Sequence, residues 1–267
     1  MSNVTTQSLL EMKQKGERIV ALTCYDALFA RLLDASGIDI LLVGDSVNQV
    51  LGGAPSTLSA TLDQMIYHTR SVRRGAERAM VVCDMPFLTY QVTPEDAVLN
   101  CGRAMKETAC HAIKLEGGQL MAPTVRRLVD VGIPVMGHIG LTPQSVHALG
   151  GYRVQGREDA AAERLKADAK ALEDAGAFAI VLELIPAPLA SQISKALTIP
   201  TIGIGAGPAC DGQVLVLHDM LGLNDQFSAK FVKKYAAMAE DVREAAKLFA
   251  AEVREGRYPG PEHSFGK

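Results

Sequence analysis

The stretch AIVLELIP at residues 179–186 is an apolar run with one carboxylate, Glu183, near its carboxyl end. Runs of this kind recur along the chain, and each is followed by a loop and usually by an amphipathic stretch. They are apolar on both faces, which is typical of parallel strands covered by helices. The eight runs are IVALTCYD (19–26), ILLVGD (40–45), MVVCDMP (80–86), HAIKLEG (111–117), PVMGHIG (134–140), AIVLELIP (179–186), PTIGIGAG (200–207) and VLVLHDML (214–221).

The segments between the runs carry helix signals. Thr93 and Pro94, followed by two acidic residues, predict a helix start. The segment 159–176 places Leu165, Ala169 and Leu172 at helical spacing. Eight units over 267 residues average about 33 residues each, the size of a (β/α)₈ repeat. The pattern therefore predicts a (β/α)₈ TIM barrel, with a doubly wound open sheet as the alternative.

Two segments depart from the regular alternation. Residues 140–159 are Gly-rich, and a connection of this length is usually functional or forms an interface. The tail from about Asn224 contains one long predicted helix. Because no low-complexity linker divides the chain, we expect residues 1–267 to form a single barrel domain with a C-terminal helical tail.

Composition excludes several classes of protein. The net charge of −3 gives no basic surface for nucleic acid. The five cysteines include no C-x-x-C pair, so neither a disulfide framework nor a structural zinc site is expected. We also expect no signal peptide and no membrane span, because no apolar stretch is long enough. These features predict a cytoplasmic protein.

Polar residues interrupt the apolar runs mostly near their carboxyl ends. In a barrel these ends form one face, where active sites lie. Three carboxylates that converge there repel one another unless a cation lies between them, and an all-oxygen set favours Mg²⁺. The interrupting residues are Asp45, Asp84, Lys114, Glu116, His138 and Glu183.

Each residue of this set also has a structural interpretation. Asp45 could cap the following helix, Asp84 could accept turn amides, and Glu116 could be a surface-loop acid. Glu183 is either a general base in a partly dry site or an ion-pair partner of Lys114 across the barrel.

Two further features leave alternatives open. His138 is a satisfied core histidine, a donor to a substrate oxygen or a support for the ligands of the metal. The sequence GIGAG at 203–207 is a weak signal for phosphate binding.

Seven longer segments form a specific pattern along the chain: LLVGDSVNQVLGG, STLSATLDQMIYHTRSVRRG, DMPFLTYQ, IKLEGG, VMGHIGLTPQSVHALGGYRVQGR, IGIGAGPACDGQVLVLHDMLGL and YPGPEHSF. They closely resemble the 3-methyl-2-oxobutanoate (ketopantoate) hydroxymethyltransferases, from about Thr23 to Phe265. The resemblance implies a Mg²⁺-dependent barrel of the phosphoenolpyruvate/pyruvate type that makes ketopantoate for pantothenate and coenzyme A synthesis. It also implies 5,10-methylenetetrahydrofolate as one-carbon donor and a cytoplasmic homodecamer.

The resemblance also assigns roles to individual residues. The family's metal ligands correspond to Asp45, Asp84 and Glu116, its keto-acid contacts to Asp45, Ser46, Asp84 and Lys114, and its proton acceptor to Glu183. The sequence departs from the family pattern at 47–49 and at 59–60, in the loop after the Asp45 strand. Their place in that loop is one where a change can alter the substrate pocket, and they leave the reaction type intact.

The implied mechanism is enolate chemistry on 3-methyl-2-oxobutanoate. Glu183 removes the C3 proton, Mg²⁺ stabilises the enolate oxygen, and Lys114 supplies positive charge. The enolate carbon then attacks the methylene carbon of the folate. Three other classes stay open at this point: a carboxylate lyase or phosphonomutase on the same barrel, a non-catalytic oxo-acid binding protein, and a phosphate-binding barrel that uses GIGAG.

Overall fold

The computed structural model describes residues 3–266, which form alternating strands and helices. The strands are β1 (Ile19–Thr23), β2 (Ile40–Val43), β3 (Met80–Asp84), β4 (Ala112–Glu116), β5 (Val135–Gly140), β6 (Ala179–Glu183), β7 (Thr201–Ile204) and β8 (Gly212–Leu215). The helices are α1 (Thr6–Lys15), α2 (Ala27–Ala35), α3 (Val47–Val50), α4 (Leu62–Gly75), α5 (Pro94–Thr108), α6 (Ala122–Asp130), α7 (Asp159–Asp174), α8 (Ala187–Ala196), α9 (Leu217–Met220) and α10 (Met238–Arg254).

The strands close into a parallel barrel in chain order, from β1 to β8. Closure comes from β1, which pairs with β2 on one side and with β8 on the other. This pairing confirms the predicted (β/α)₈ barrel and excludes the open doubly wound sheet. The connection from β5 to α7 contains one short 3₁₀ turn, Pro143–Ser145, and is the long loop that the sequence predicted.

The prediction for the eighth strand was wrong in its position. The run 214–221 was read as a strand, but β8 ends at Leu215 and Leu217–Met220 is helical. The strand instead begins at Gly212, which pairs with Ile19 of β1 and Ile202 of β7. A side chain at 212 would place its Cβ 2.5 Å from the carbonyl oxygen of Ile19. A glycine-led strand of this kind has little apolar signal, so the apolar run after it was mistaken for the strand.

Alternate residues of each strand point into the barrel, and their chemistry changes along the strand. Near the amino ends they form one apolar cluster, which Val4 and Leu9 from the amino-terminal segment join. On β4, for example, Ala112 belongs to this cluster and Lys114 and Glu116 follow it on the same face. The interior is therefore an apolar core at one end and a polar site at the carboxyl end.

The predicted helix signals are confirmed. The Thr93 hydroxyl accepts a hydrogen bond from the backbone of Asp96, and Pro94 occupies the first turn of α5. Helix α7 buries Leu165, Ala169 and Leu172, as its periodicity indicated.

The chain divides into two compact units, one up to Val216 and one from Leu217 onward. The second unit contains α9 and α10, so the long C-terminal helix is confirmed, while the single-domain organisation stays a prediction. Within residues 3–266, no helix is long and apolar enough to cross a bilayer.

Candidate active site

The predicted site residues meet at the carboxyl end of the barrel. Asp84 and Glu183 are the last residues of β3 and β6, and Glu116 is the last of β4. Strand register places Asp84 beside Lys114 and Glu116 beside His138. Asp45 follows β2 and belongs to the same group, because its backbone N–H donates to Asp84 Oδ2 at 3.3 Å.

Lys114 is the buried cation of the site. Its Nζ donates to Asp84 Oδ1 at 2.6 Å and lies 3.7 Å from Glu116 Oε1. Burial opposes the charged amine, but the carboxylates of Asp84 and Glu116 outweigh it and raise the pKa of Lys114. The ammonium therefore stays charged at neutral pH.

His138 lies between two carboxylates. Its Nδ1 is 3.5 Å from Glu116 Oε1, and its Nε2 is 3.1 Å from Glu183 Oε2. Neither ring nitrogen has a well-aligned hydrogen bond in the described part of the chain. Burial opposes the imidazolium, but the two carboxylates outweigh it and raise the pKa of His138 to about 9.

The carboxylates differ in how easily they ionise. Burial, with the negative charges of Asp84 and Glu116, raises the pKa of Asp45 well above its ordinary value. Burial also raises the pKa of Asp84, against the opposing charge of Lys114. Burial acts the same way on Glu116, but His138 and Lys114 outweigh it and lower the pKa of that carboxyl. The site thus has more carboxyl groups than cations, and burial opposes the ionisation of Asp45 and Asp84.

The sequence pattern of the ketopantoate hydroxymethyltransferase family matches residues 3–261. The chain belongs to this family. It is 56% identical over 261 residues to the 3-methyl-2-oxobutanoate hydroxymethyltransferase of Syntrophotalea carbinolica, covering 98% of each sequence. It is 55% identical over 264 residues to that of Moorella thermoacetica, covering 99% of this chain and 98% of the relative.

Solved structures outside the ketopantoate hydroxymethyltransferases share the fold. A phosphonopyruvate hydrolase superposes with a TM-score of 0.64 at 12% identity, over 98% of this chain and 93% of its own. A 2,3-dimethylmalate lyase of the PEP mutase/isocitrate lyase superfamily has a TM-score of 0.60 at 17% identity, over 98% and 93%. These likenesses show the same barrel fold.

The structure decides between several interpretations of single residues in this family member. The cap position of α3 is Ser46, with no side-chain cap bond, so Asp45 does not cap that helix. Glu116 is not a surface-loop acid, because its side chain is only 3% exposed. Lys114 pairs with Asp84 while Glu183 lies beside His138, which contradicts the ion pair of Glu183 with Lys114.

Sequence reasoning missed three buried residues of the site. Gln144 contacts both Asp45 and Glu116, and the Tyr90 hydroxyl contacts Gln144. The Tyr25 hydroxyl lies 2.9 Å from Ser46 Oγ. Tyr25 lies near the carboxyl end of the predicted run 19–26, Tyr90 follows the run 80–86, and Gln144 is in the loop after β5. The only signal in the sequence is that Gln144 lies in a loop long enough to be functional. This signal does not reveal which residues Gln144 contacts.

The donor chemistry of the site fits Mg²⁺. The carboxyl groups of Asp45, Asp84 and Glu116 supply hard oxygen ligands, and a divalent cation would offset the burial that opposes ionisation of the two aspartates. Glu116 Oε1 is buried and makes no well-aligned hydrogen bond; its neighbours are the cationic groups of Lys114 and His138, at 3.7 and 3.5 Å. Within residues 3–266, no three acidic, His or Cys side chains already converge on one point as metal ligands. The fit therefore rests on charge and ligand type.

Proposed function

We propose that this chain transfers a hydroxymethyl group from 5,10-methylenetetrahydrofolate to 3-methyl-2-oxobutanoate. The product is ketopantoate, an intermediate of pantothenate and coenzyme A biosynthesis. The observation that carries the proposal is a buried carboxylate cluster around Lys114, with Glu183 at its margin, in a chain of this family. Water supplies the hydroxyl oxygen as tetrahydrofolate leaves.

Glu183 is proposed as the base that removes the C3 proton of the oxo acid. Its side chain is 14% exposed, whereas those of Asp84 and Glu116 are 3% exposed, so it faces the opening of the site. His138 Nε2 lies 3.1 Å from Glu183 Oε2 without a well-aligned hydrogen bond, so its single N–H is proposed to donate to a substrate oxygen beside the base. A partly dry carboxylate with one polar neighbour is well suited to accept a proton from carbon.

Lys114 provides the fixed positive charge of the reaction. A buried ammonium stabilises a developing enolate more strongly than one in water, because the local dielectric is low. Together with Asp45, Ser46, Asp84 and His138, Lys114 is proposed to bind the oxo acid. The residues that hold the folate are not assigned.

Asp45, Asp84 and Glu116 are proposed to hold Mg²⁺. When bound, the ion supplies Lewis-acid stabilisation of the enolate oxygen. Asp45→Asn and Asp84→Asn should each weaken Mg²⁺ binding at least ~10–100-fold. Mutation of residues that only orient metal ligands already weakens metal binding by this factor. Unchanged metal affinity in both variants, or full turnover in excess chelator, contradicts this assignment.

The assembly and location are proposed from the family resemblance. We infer a cytoplasmic homo-oligomer, a homodecamer by that resemblance. In residues 3–266 all five cysteines are free and buried, which is compatible with a reducing compartment.

The deciding experiment is a turnover assay with 3-methyl-2-oxobutanoate, methylenetetrahydrofolate and Mg²⁺, with product identification by NMR. A gain of one hydroxymethyl carbon at C3 supports the proposal. Release of carbon fragments from an oxo acid identifies a lyase instead. Binding without C3 proton exchange identifies a non-catalytic oxo-acid protein.

A further inference from the structure

Gln144 contacts two of the three acids that are proposed to hold the metal. It lies in the 3₁₀ turn after β5 and is buried. Its side-chain Nε2 donates to Asp45 Oδ2 at 2.9 Å, and its backbone N–H donates to Glu116 Oε2 at 3.0 Å. One residue therefore holds one oxygen of each carboxylate.

The orientation of this amide is fixed by its other bonds. The Glu116 backbone N–H donates to the Tyr90 hydroxyl at 3.1 Å. The hydroxyl in turn donates to Gln144 Oε1 at 2.7 Å, which is much shorter than its 3.5 Å approach to the Glu116 carbonyl. Gln91 Nε2 also donates to Gln144 Oε1, at 3.1 Å. The second hydrogen of Gln144 Nε2 is donated to the carbonyl of Met85, at 2.9 Å. With Oε1 occupied by donors, Nε2 must face Asp45.

Burial raises the pKa of Tyr90 well above its ordinary value, so the hydroxyl keeps its proton and stays a donor. A neutral amide at 144 holds a carboxylate without cancelling its charge, whereas a lysine there would neutralise it. The remaining Glu116 oxygen, Oε1, makes no well-aligned hydrogen bond and lies 3.7 Å from Lys114 Nζ and 3.5 Å from His138 Nδ1. The amide group at 144 thus fixes Oε2, and Oε1 stays directed at the centre of the site.

We propose that Gln144 and Tyr90 are positioning residues, which together hold the Asp45 and Glu116 carboxylates in the orientation that binds the divalent cation. This inference rests on the metal site of the proposed function. Neither residue is required to touch the reacting atoms. Both act through the carboxylates that they orient.

The test measures Mn²⁺ affinity of the full chain without substrate, from the EPR signal of the free ion. Tyr90→Phe removes only the hydroxyl, and Gln144→Met removes the amide while keeping the backbone N–H bond to Glu116. Each should weaken Mn²⁺ binding by ~10–100-fold, as the loss of groups that orient metal ligands typically does. Turnover should fall at subsaturating metal and recover in part at high metal concentration.

A matched control removes an equivalent hydroxyl elsewhere. The buried Thr108 hydroxyl also donates one bond, to the Ala104 carbonyl at 2.8 Å, and accepts one, from the Cys110 N–H at 3.1 Å. Thr108→Val should lower the thermal midpoint as Tyr90→Phe does and keep wild-type Mn²⁺ affinity. A purely structural role for Tyr90 predicts the same result for both variants.

The inference is overturned if folded Tyr90→Phe binds Mn²⁺ as tightly as wild type, or if the wild-type chain takes up no Mn²⁺. Should Gln144→Met fail to fold, Gln144→Asn retains an amide too short to reach Asp45 and is expected to show the same weakening. The two proposals can fail separately. If the wild-type chain transfers no hydroxymethyl group, the proposed function is rejected. If the variants of that chain still bind Mn²⁺ more weakly than wild type, the positioning role stays supported.

Discussion

Glu183 differs from the other acids of the site in its surroundings. Its carboxylate contacts His138 and is partly exposed, whereas Asp84 and Glu116 are fully enclosed beside Lys114. A base must reach the substrate and must not be permanently neutralised by an ammonium. Of the four carboxylates, Glu183 meets both conditions best.

Glu183→Gln should therefore abolish most of the turnover and spare substrate binding. The amide keeps the shape of the side chain but accepts no proton from carbon, and loss of a general base costs ~10²–10⁴-fold in rate. Exchange of the C3 proton of 3-methyl-2-oxobutanoate with D₂O, followed by NMR without folate, measures the step directly. Glu163→Gln on the exposed face of α7 is the control. Exchange at the wild-type rate in Glu183→Gln would show that another group is the base.

His138 predicts a pH dependence of stability in the metal-free chain. Its pKa in the fold is about 9, above the ordinary 6.5 of an unfolded chain. The charged imidazole therefore stabilises the fold fully below pH 6.5, and this contribution is lost as the pH rises through 9. Urea unfolding at one protein concentration, with EDTA, should show a loss of up to about 3 kcal/mol across this window.

The loss should be absent in His138→Gln. His111→Gln is the matched control, because burial lowers the pKa of His111 and its titration lies below the window. If the stability of wild type and of His138→Gln depends on pH in the same way between pH 6.5 and 9, the loss of stability is not caused by His138.

Single residues also show where sequence reading reached its limit. Asp84, Glu116 and Glu183 were recognisable because a carboxylate at the end of a buried strand needs a partner or a task. Tyr90 and Gln144 had no such signal. Their contact spans 54 positions along the chain and forms only when two loops meet above the barrel.

At the scale of elements, the register between β5 and β6 controls where Glu183 lies. Gly140 pairs with Glu183 and has a φ of +95°. A Cβ at this position would lie 2.2 Å from the Glu183 carbonyl oxygen. The glycine thus lets the two strands approach at Glu183, the proposed base.

Gly140→Ala should both destabilise the fold and reduce turnover. The positive φ alone costs a non-glycine residue on the order of 1–3 kcal/mol, and the contact with Glu183 adds to it. Gly16→Ala is the control, because Gly16 has a φ of +71° and no atom within 4 Å of its Cβ position. Urea unfolding and turnover of both variants are compared. Equal stability losses with normal turnover would show that the close approach at Gly140 is unimportant.

Elements with strong local sequence signals were predicted well. The strand that is defined by its pairing when the barrel closes was not. The apolar runs from β1 to β7 and the cap of α5 are encoded locally. β8 is short, begins with Gly212 and is defined by its neighbours β1 and β7. Helix α1 was not predicted, although Leu9 from it is part of the barrel core.

For the whole molecule, we expect a homo-oligomer that does not depend on disulfides. All five cysteines are buried thiols in the described residues, so reductant should not change the assembly. Sedimentation velocity with and without reductant at micromolar concentration measures this. A species of 28.5 kDa under both conditions would identify a monomer and reject the prediction.

The pairing of the first strand with the last has a consequence for how the chain is made. During translation, β1 leaves the ribosome nearly two hundred residues before β8, with which it pairs through Leu22 and Leu215. Until then β1 and β7 each present an unpaired edge, the kind of surface that promotes aggregation. A nascent chain stalled before Gly212 carries every acid of the site but no closed barrel around them, so it should bind chaperones and gain protease resistance only when β8 emerges.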